Sequence, residues 1–399
     1  MSLLLSIEHR NKVLKTMAEF IALEKEAILD ANKKDLEAYT GDDLAMGDRL
    51  KVDDAKIEGM ILSLQQLADQ EDPLGVERFG FTHENGIKVS NKTAPFGTIC
   101  IIYESRPDVT IEAAGIAFKS GNKILLKGGK ESLQSNLALV ALWHKALEQN
   151  ECATDWVTYL QFNREETRAF LQHPTQKIDL IVPRGGEKLI AFVKKHATCP
   201  VIISGRGNNF AYVATDADLE MAVDIIINAK TTKISACNAL DKVLIAADML
   251  RKFEFLQHLI QELKKRDVEI LTDQTLTDLE GSTTFDTEAI WYEEFLDYKI
   301  VIGQVADVTD AIHKINTYGG GHSAVIITSN EEKAQLFMES VDSAAVYHNA
   351  STRFTDGFQF GLGGELAIST DKLHQRGPIG LQHLVTNKWY VLGNGQVRS

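Results

Sequence analysis

Cysteine is scarce in this sequence and never clustered. The chain of 399 residues has four cysteines, Cys100, Cys152, Cys199 and Cys237, and none forms a CxxC pair or a Cys/His ligand spacing. Neither a zinc site nor a disulfide framework is therefore expected, and we predict no metal site. Isolated thiols predict a reducing, cytoplasmic setting.

Long apolar runs and clustered basic residues are missing as well. The opening "MSLLLSIEHRNK" lacks the basic start and the cleavage site of a signal peptide, and no later stretch reaches membrane-spanning length. The formal net charge is −14 and the Lys and Arg residues are scattered, which argues against an electrostatic footprint for nucleic acid. We predict a globular protein that binds neither membranes nor nucleic acid.

Helical periodicity dominates the first part of the chain. From "SIEHRNKVLKTMAEF" through "KIEGMILSLQQLADQ", apolar residues recur at three and four positions, which predicts two or three amphipathic helices. "VERFGFTHENGIKVSNKTAPFG" then has strand-like stretches on either side of Asn85-Gly86. That dipeptide favours a tight hairpin because both positions tolerate positive φ.

The rest of the chain alternates short apolar runs with helical stretches. A first series comprises "TICIIY", "KILLKGG", "WVTYLQ", "IDLIVPRGG" and "CPVIIS", and a second comprises "KVLIAAD", "EILTD", "DYKIVIG", "SAVIIT" and "AAVYHNA". This alternation is typical of parallel sheets covered by helices. We predict an α/β fold with two lobes joined near residue 230.

Two glycine pairs follow predicted strands. "VPRGGEKLI" places Gly185-Gly186 between a strand and a helix, and "LKGGKES" repeats the layout. Helix N-termini at such positions bind anions such as phosphate. A paired glycine can equally make a plain turn, and neither stretch has a full dinucleotide or Walker pattern.

Cys237 stands in "NAKTTKISACNAL", between a predicted helix and the next lobe. A thiol at a lobe junction, with Ser235, Asn238 and Lys233 nearby, could be a nucleophile, since polar and cationic neighbours favour a thiolate. Cysteine is also among the most buried residue types, so a structural role is the alternative. Cys100, inside "TICIIY", exemplifies that structural role.

The C-terminal stretch "HNASTRFTDGFQFGLGGELAISTDKLHQRGP" is rich in Gly, Ser, Thr and Asp, yet carries aromatic residues and arginines. Ordered loops of this kind often line a functional site. His348, His374, Arg353 and Arg376 could belong to such a site or could be surface or packing residues.

Five motifs, in this order, resemble the gamma-glutamyl phosphate reductase family within the aldehyde dehydrogenase superfamily. They are "YESRPDVT", "LKGGKES", "VPRGGEKLI", "CNALD" and "NASTRFTDGFQFGLGGELAISTDKLHQRGPIGLQHL". The resemblance covers essentially the whole chain. It implies an aldehyde dehydrogenase-like fold with a cofactor lobe, a catalytic lobe and an oligomerisation hairpin.

The resemblance implies NADPH-dependent reduction of L-glutamyl 5-phosphate to L-glutamate 5-semialdehyde and phosphate, in proline biosynthesis. Cys237 matches the family nucleophile, which displaces phosphate to give a thioester. The oxyanion donors would be the Cys237 backbone N–H and the region of Asn238 or Ser105. Ser105 stands where related aldehyde dehydrogenases carry asparagine.

The same resemblance assigns the binding residues. Lys127 would lie near the adenosine ribose and Lys130 near the 2′-phosphate, Gly185 and Gly186 would bind the cofactor, and Glu294 would hold the nicotinamide ribose. Arg106, Arg184 and Arg353 lie in or beside the matching motifs, and we predict that they bind the anionic substrate, since the guanidinium fork suits carboxylate and phosphate.

The resemblance also predicts the domains and partners. Residues 1–78 and 96–231 would form the cofactor-binding domain, 232–368 the catalytic domain, and 79–95 with 385–399 an oligomerisation hairpin and tail. The expected partners are the small-molecule substrate, further copies of the chain in a homo-oligomer, and glutamate 5-kinase as a further candidate contact.

Three positions depart from the family pattern. Asn209-Phe210 replaces a usual Cys-His, and Phe358 stands where a small residue is common.

Two rival functions remain. One rival is another aldehyde or acyl-CoA dehydrogenase, but the stretch "VIISGRG", where an aldehyde-oxidising relative carries its glutamate, has no acid. The other is a non-catalytic partner subunit, against which the intact Cys237 argues.

Overall fold

A computed structural model describes residues 5–41, 44–250, 252–276 and 279–398. In chain order the α-helices are α1 (Ile7–Leu23), α2 (Lys25–Ala38), α3 (Leu44–Leu50), α4 (Asp54–Asp69), α5 (Pro107–Lys119), α6 (Leu133–Gln149), α7 (Arg164–Gln172), α8 (Glu187–His196), α9 (Leu219–Thr231), α10 (Lys252–Lys264), α11 (Ala289–Tyr292), α12 (Val308–Tyr318) and α13 (Glu331–Ser340). The strands are β1 (Glu77–Thr82), β2 (Lys88–Pro95), β3 (Thr98–Tyr103), β4 (Lys123–Lys127), β5 (Val157–Tyr159), β6 (Leu180–Arg184), β7 (Asn209–Val213), β8 (Leu240–Ala246), β9 (Glu269–Thr272), β10 (Thr283–Thr284), β11 (Lys299–Val305), β12 (Ser323–Ile327), β13 (Ala345–His348), β14 (Ala367–Ser369), β15 (Gly377–Ile379) and β16 (Val385–Leu392).

The chain divides into two compact units. Unit 1 comprises Met1–Ile203, Gly361–Ala367 and Ile379–Ser399, and unit 2 comprises Ser204–Phe360 and Ile368–Pro378. The predicted change of lobe near residue 230 is therefore placed too late. The reason is β7, which pairs in parallel with β8 and β12 and so belongs to the sheet of unit 2.

Unit 1 is built on a parallel sheet of four strands in the order β5-β4-β3-β6. The middle strand β3, "TICIIY", is buried along most of its length, as expected for a strand covered on both faces. The predicted strand "CPVIIS" is reduced to an isolated bridge between Ile181 and Val201. The predicted parallel sheet is confirmed, with one strand fewer.

The predicted hairpin at Asn85-Gly86 is confirmed. β1 and β2 pair antiparallel, and Gly86 takes a φ of 88°, which glycine adopts without steric cost. β16 pairs antiparallel with β2 from Val385 to Leu392, completing a three-stranded sheet. The C-terminal strand therefore lies beside the hairpin.

Unit 2 contains a parallel sheet of seven strands in the order β10-β9-β11-β8-β7-β12-β13. Its central strands β8, β7 and β12 are buried at every residue. β7, "NFAYV", was missed because polar asparagines and glycines precede it and suggest a loop. No helix in the described ranges is long and apolar enough to cross a membrane.

Candidate active site

Cys237 lies in a turn-rich loop between α9 and β8 of unit 2. The Ala236 N–H donates to the Lys233 carbonyl at 3.2 Å and the Ala239 N–H donates to the Ala236 carbonyl at 2.9 Å, so two successive turns enclose the thiol residue. Cys237 is partly exposed, whereas Asn238 and Ala239 are buried. The loop thus presents one thiol from an anchored backbone.

Backbone packing and one amide side chain hold this loop. A Cβ on Gly207 would lie 2.0 Å from the Cys237 carbonyl oxygen, so only glycine fits there. Asn209 Nδ2 donates to the carbonyls of Cys237 at 2.8 Å and Ala239 at 2.6 Å, and Asn209 Oδ1 accepts from the Ser323 N–H at 3.0 Å. The departure at Asn209 therefore supports the thiol loop.

Asn238 ties the loop to the turn at Thr352–Phe354. Its Nδ2 donates to the carbonyls of Arg353 at 3.3 Å and Thr355 at 3.0 Å, and Thr352 Oγ1 donates to the Asn238 carbonyl at 2.7 Å. The Asn238 amide hydrogens thus point at backbone oxygens. In this geometry Asn238 holds a turn, and its predicted role as an oxyanion donor has no support from these contacts.

Arg353 is the cation in the turn that Asn238 ties to the thiol loop. Nε and Nη1 of its guanidinium are buried and have no hydrogen-bond partner among the described residues. Burial lowers the pKa of Arg353, while the charges of Cys237 and Asp356 act in the opposite direction. Buried donors without partners are costly, and they suit an anionic ligand with several oxygens.

Glu294 contacts Gly207, which supports the Cys237 loop. Its Oε1 accepts the Gly207 N–H at 2.9 Å, and Gly207 packs against the Cys237 backbone. Four predicted or newly found residues therefore converge within unit 2: Cys237, Arg353, Glu294 and Asn209.

The four cysteines have different surroundings, and none forms a disulfide. Burial raises the pKa of Cys100 to about 12 and also raises the pKa of Cys152 and Cys199. Cys237 is the thiol whose loop is bonded, through Asn238, to the backbone of Arg353, an arginine with two buried nitrogens that have no partner in the described part of the chain. Its surroundings thus differ from those of the three thiols whose pKa burial raises.

In unit 1 the predicted binding residues follow the carboxyl ends of β3, β4 and β6, at one edge of the parallel sheet. At Gly185-Gly186, a Cβ on Gly185 would lie 2.5 Å from the Glu104 carboxyl carbon, and the Gly186 N–H donates to Glu104 Oε2 at 3.2 Å. The N-terminus of α8 thus already binds a carboxylate of the protein itself. A phosphate bound at this N–H would have to displace that carboxylate.

Ser105 and the two arginines of this edge also have partners. Ser105 Oγ donates to Glu131 Oε2 at 3.1 Å, and Arg106 Nη2 lies 2.8 Å from Asp108 Oδ2. Arg184 Nη1 donates to the Leu366 carbonyl. All three predicted residues are thus held within unit 1.

Lys127 ends β4, and Lys130 begins the short 3-10 helix Lys130–Ser132. Lys127 Nζ donates to the Gly128 carbonyl at 2.7 Å, and burial lowers its pKa. Lys130 is exposed. A half-buried ammonium at the carboxyl edge of a parallel sheet fits a polar ligand such as a ribose.

The two remaining departures lie in different settings. Phe210 is buried in β7 and stacks on Trp291, with ring centroids 6.3 Å apart. Phe358 is exposed, and its N–H donates to Asp356 Oδ1 at 2.9 Å. Neither aromatic ring occupies the Cys237 loop.

Sequence reasoning missed Gly207 and Asn209 as supports of that loop. Both stand in "GRGNN", whose density of Gly and Asn is typical of a turn. The signal that could have found them is the close approach that glycine permits, combined with the two donors of an asparagine amide.

Comparisons with known proteins agree with this geometry. The aldehyde dehydrogenase family model matches residues 4–277. A gamma-glutamyl phosphate reductase of Clostridium beijerinckii is 41% identical over 395 residues, covering 98% of this chain and 95% of the relative. The crystal structure of the gamma-glutamyl phosphate reductase of Thermotoga maritima has a TM-score of 0.95 at 39% identity, covering 99% of this chain and 95% of that one. An acetylating aldehyde dehydrogenase of Geobacillus thermoglucosidasius, at 15% identity and a TM-score of 0.69 over 99% and 94% of the two chains, shares the fold.

Proposed function

Because the chain belongs to the gamma-glutamyl phosphate reductases, within the aldehyde dehydrogenase family, we propose that it reduces L-glutamyl 5-phosphate to L-glutamate 5-semialdehyde and phosphate in proline biosynthesis, with NADPH. The observation that carries the assignment to this site is that the loop of the partly exposed Cys237 is bonded, through the Asn238 side chain, to the backbone of Arg353, whose Nε and Nη1 are buried without a partner among the described residues.

Cys237 is the proposed nucleophile. Its thiolate attacks the acyl carbon, a C–S bond forms, and the C–O bond to phosphate breaks, so that phosphate leaves with the electron pair. A thioester on Cys237 divides one difficult step into two easier ones. When the aldehyde forms, the C–S bond breaks and the thiolate is restored.

Arg353 is the proposed binding group for the phosphoryl oxygens. Its Nε and Nη1 have no acceptor among the described residues, so each has an N–H that an oxygen of the anion can accept from. A positive charge there also stabilises the thiolate before the attack. Arg106 and Arg184 remain proposed contacts for other anionic groups of the substrate.

The cofactor NADPH supplies a hydride when bound. Lys127 and Glu294 fit the roles proposed for them, because each carries a charge on a residue fixed by its own hydrogen bond. We propose that Lys127 holds the adenosine ribose, that the exposed Lys130 holds the 2′-phosphate, and that Glu294 holds the nicotinamide ribose. Gly185 and Gly186 stay predicted cofactor contacts, and a phosphate that used the Gly186 N–H would displace the Glu104 carboxylate from it.

The oxyanion that develops on the substrate needs a fixed donor. The Asn238 amide donates to two carbonyls and the Ser105 hydroxyl donates to Glu131. We therefore propose the Cys237 backbone N–H for this role, on a loop whose geometry Asn209 and Asn238 maintain.

The three-stranded sheet supports the proposed homo-oligomer. Phe79 and Phe81 on β1 and Trp389 to Leu392 on β16 are large apolar side chains that are each more than two-fifths exposed. Exposed apolar patches of this kind mark interfaces between chains. The contact with glutamate 5-kinase and the cytoplasmic location remain predictions.

The decisive experiment runs the reaction backwards. Purified protein given glutamate semialdehyde, NADP and phosphate should form NADPH, and omission of phosphate should abolish steady turnover. Phosphate is needed because the thioester on Cys237 requires an acceptor, and "VIISGRG" at residues 201–207 has no acid to activate water.

Without phosphate, a burst of at most about one NADPH per active site should precede the stall, because one thioester forms on each Cys237. Addition of phosphate or arsenate should restart the reaction. Absorbance at high enzyme concentration measures both phases. Sustained phosphate-free turnover would contradict the proposal and indicate an aldehyde-oxidising dehydrogenase.

A further inference from the structure

Unit 2 contains a buried charge cluster that the proposed chemistry does not use: Lys230, Asp241 and Lys242. Lys230 Nζ lies 2.9 Å from Asp241 Oδ1, with side chains 0% and 3% exposed, and Lys242 is also fully buried. Burial lowers the pKa of Lys242 to about 7 and lowers the pKa of Lys230. Apolar residues can replace such buried ion pairs without loss of stability. The presence of this charge cluster therefore favours a positioning role.

The cluster forms hydrogen bonds with the backbone on both sides of Glu294. Lys242 Nζ donates to the Glu293 carbonyl at 2.7 Å, and Asp241 Oδ2 accepts the Phe295 N–H at 3.1 Å. The Lys242 ammonium also lies 3.9 Å from the centroid of the Phe295 ring. Glu294 is therefore fixed from the residue before it and from the residue after it.

Asp241 and Lys242 also belong to the segment that carries the thiol. They lie in β8, which begins at Leu240 and directly follows the Cys237 loop. Glu294 in turn accepts the Gly207 N–H, and Gly207 packs on the Cys237 backbone. The Cys237 loop, β8, Glu294 and Gly207 are thus linked by a continuous series of contacts that begins and ends at Cys237.

We propose that Asp241 and Lys242 are positioning residues that set the Glu294 carboxylate relative to the Cys237 loop, and so align the bound nicotinamide ribose with the thiol. This inference rests on the proposed role of Glu294. The two residues act through Glu294, and Lys230 supports Asp241 by neutralising its charge.

The test measures NADPH binding directly, by fluorescence titration of the purified full-length protein, beside the rate at which iodoacetamide alkylates Cys237. Lys242→Met should raise the NADPH Kd about tenfold, because the Glu293 carbonyl loses its donor. The alkylation rate should stay within about twofold, because the contacts of Asn209 with the loop remain. Asp241→Leu should act like Lys242→Met, and Asp241→Asn, which keeps an oxygen for the Phe295 N–H, should recover most of the affinity.

Lys119→Met is the matched control. Lys119 is a fully buried lysine of unit 1 whose Nζ donates to the Ala68 carbonyl at 2.9 Å, so its loss removes the same kind of contact. It should lower the melting temperature and leave the NADPH Kd unchanged. If Lys242→Met does not fold, the comparison of Asp241→Asn with Asp241→Leu gives the same answer.

Glu294→Gln separates this inference from the proposed function. If Glu294→Gln weakens NADPH binding while Lys242→Met and Asp241→Leu bind as tightly as the wild type, the positioning role is overturned and the role of Glu294 stands. If Glu294→Gln binds NADPH normally, both the role of Glu294 and the inference are overturned, whereas the chemistry of Cys237 is untouched.

Discussion

The carboxyl edge of the sheet in unit 1 and the Cys237 loop in unit 2 use their polar groups in opposite ways. At the first, the two arginines and the hydroxyl predicted to bind a ligand already have protein partners: Arg106 has Asp108, Arg184 has the Leu366 carbonyl, and Ser105 has Glu131. At the second, asparagine and threonine side chains hold the backbone, and Arg353 keeps two buried nitrogens without a partner in the described chain.

The difference shows how to separate binding groups from structural ones in a fold rich in charge. A satisfied ion pair at a partly exposed site contributes little, whereas a buried donor without an acceptor carries a cost that a ligand can remove. We therefore expect catalysis to depend far more on the loop in unit 2 than on any one charge of the unit 1 edge.

The largest effect should come from the thiol itself. Cys237→Ala should lower kcat by at least about 10³-fold, because no thioester can form, and NADPH binding should be nearly unchanged. Cys100→Ala should instead lower stability by about 1–2 kcal/mol through lost packing in β3. Steady-state kinetics and urea unfolding measure the pair. A Cys237→Ala variant with a tenth of wild-type kcat would end the case for covalent catalysis.

His322 lies beside the network that supports the loop, and it should make unit 2 acid-sensitive. Its Nδ1 lies 2.8 Å from Ser323 Oγ, and burial lowers its pKa from 6.5 to about 4. Between these values the unfolded chain binds a proton that the folded chain does not, so stability falls as the pH drops from about 6.5 to 4, by about 3 kcal/mol in all. Denaturant titrations of wild type and His322→Gln at pH 7 and pH 4.5 should show a smaller acid loss in the variant. Equal losses of stability in the wild type and in His322→Gln would refute the assignment of this acid sensitivity to His322.

Arg353→Met should cost about 10- to 100-fold in kcat/KM for the acyl phosphate, since a charged hydrogen bond to the phosphoryl group is lost. The loss should appear equally in the phosphate dependence of the reverse reaction. Arg353→Lys should recover only part of it, because an ammonium cannot bind two oxygens in parallel. An unchanged KM for phosphate would remove Arg353 from the phosphate site.

Arg106→Met should have the smallest effect, about fivefold or less in kcat/KM, because Arg106 is already paired with Asp108 at 2.8 Å. The comparison with Arg353→Met is the sharpest test of the contrast between the two regions. If Arg106→Met proves as damaging as Arg353→Met, a pre-existing partner is no guide to function in this chain.

Local pattern predicted most of the sheets and less of the site. "TICIIY" and "SAVIIT" become the buried strands β3 and β12, since continuous apolar runs have few alternatives in a parallel sheet. "NFAYV" was missed because asparagines and glycines precede it, and "CPVIIS" was overestimated because its apolar run does not show whether a neighbouring strand pairs with it. The register of β7 with β8 depends on contacts between distant residues, which no local window contains.

The site follows the same rule. Cys237 stood out by its polar neighbours, which are local. The roles of Gly207 and Asn209 depend on the Cys237 backbone, which is 28 positions along the chain from Asn209, and leave no mark in their own segment beyond small size and an amide. The same limit explains Gly185-Gly186, where only the fold shows that Glu104 takes the N–H expected to bind phosphate.

The interleaving of the two units along the chain sets an order for their completion during synthesis. The core of unit 1 includes Leu366, Ile379 and Leu384, and β2 gains its second partner, β16, only when residues up to Leu392 exist. Most of unit 2 lies in the uninterrupted stretch Ser204–Phe360. The unit that leaves the ribosome first is thus the last to be finished, and until then its hairpin strand β2 has an open edge, the kind of surface on which nascent chains associate.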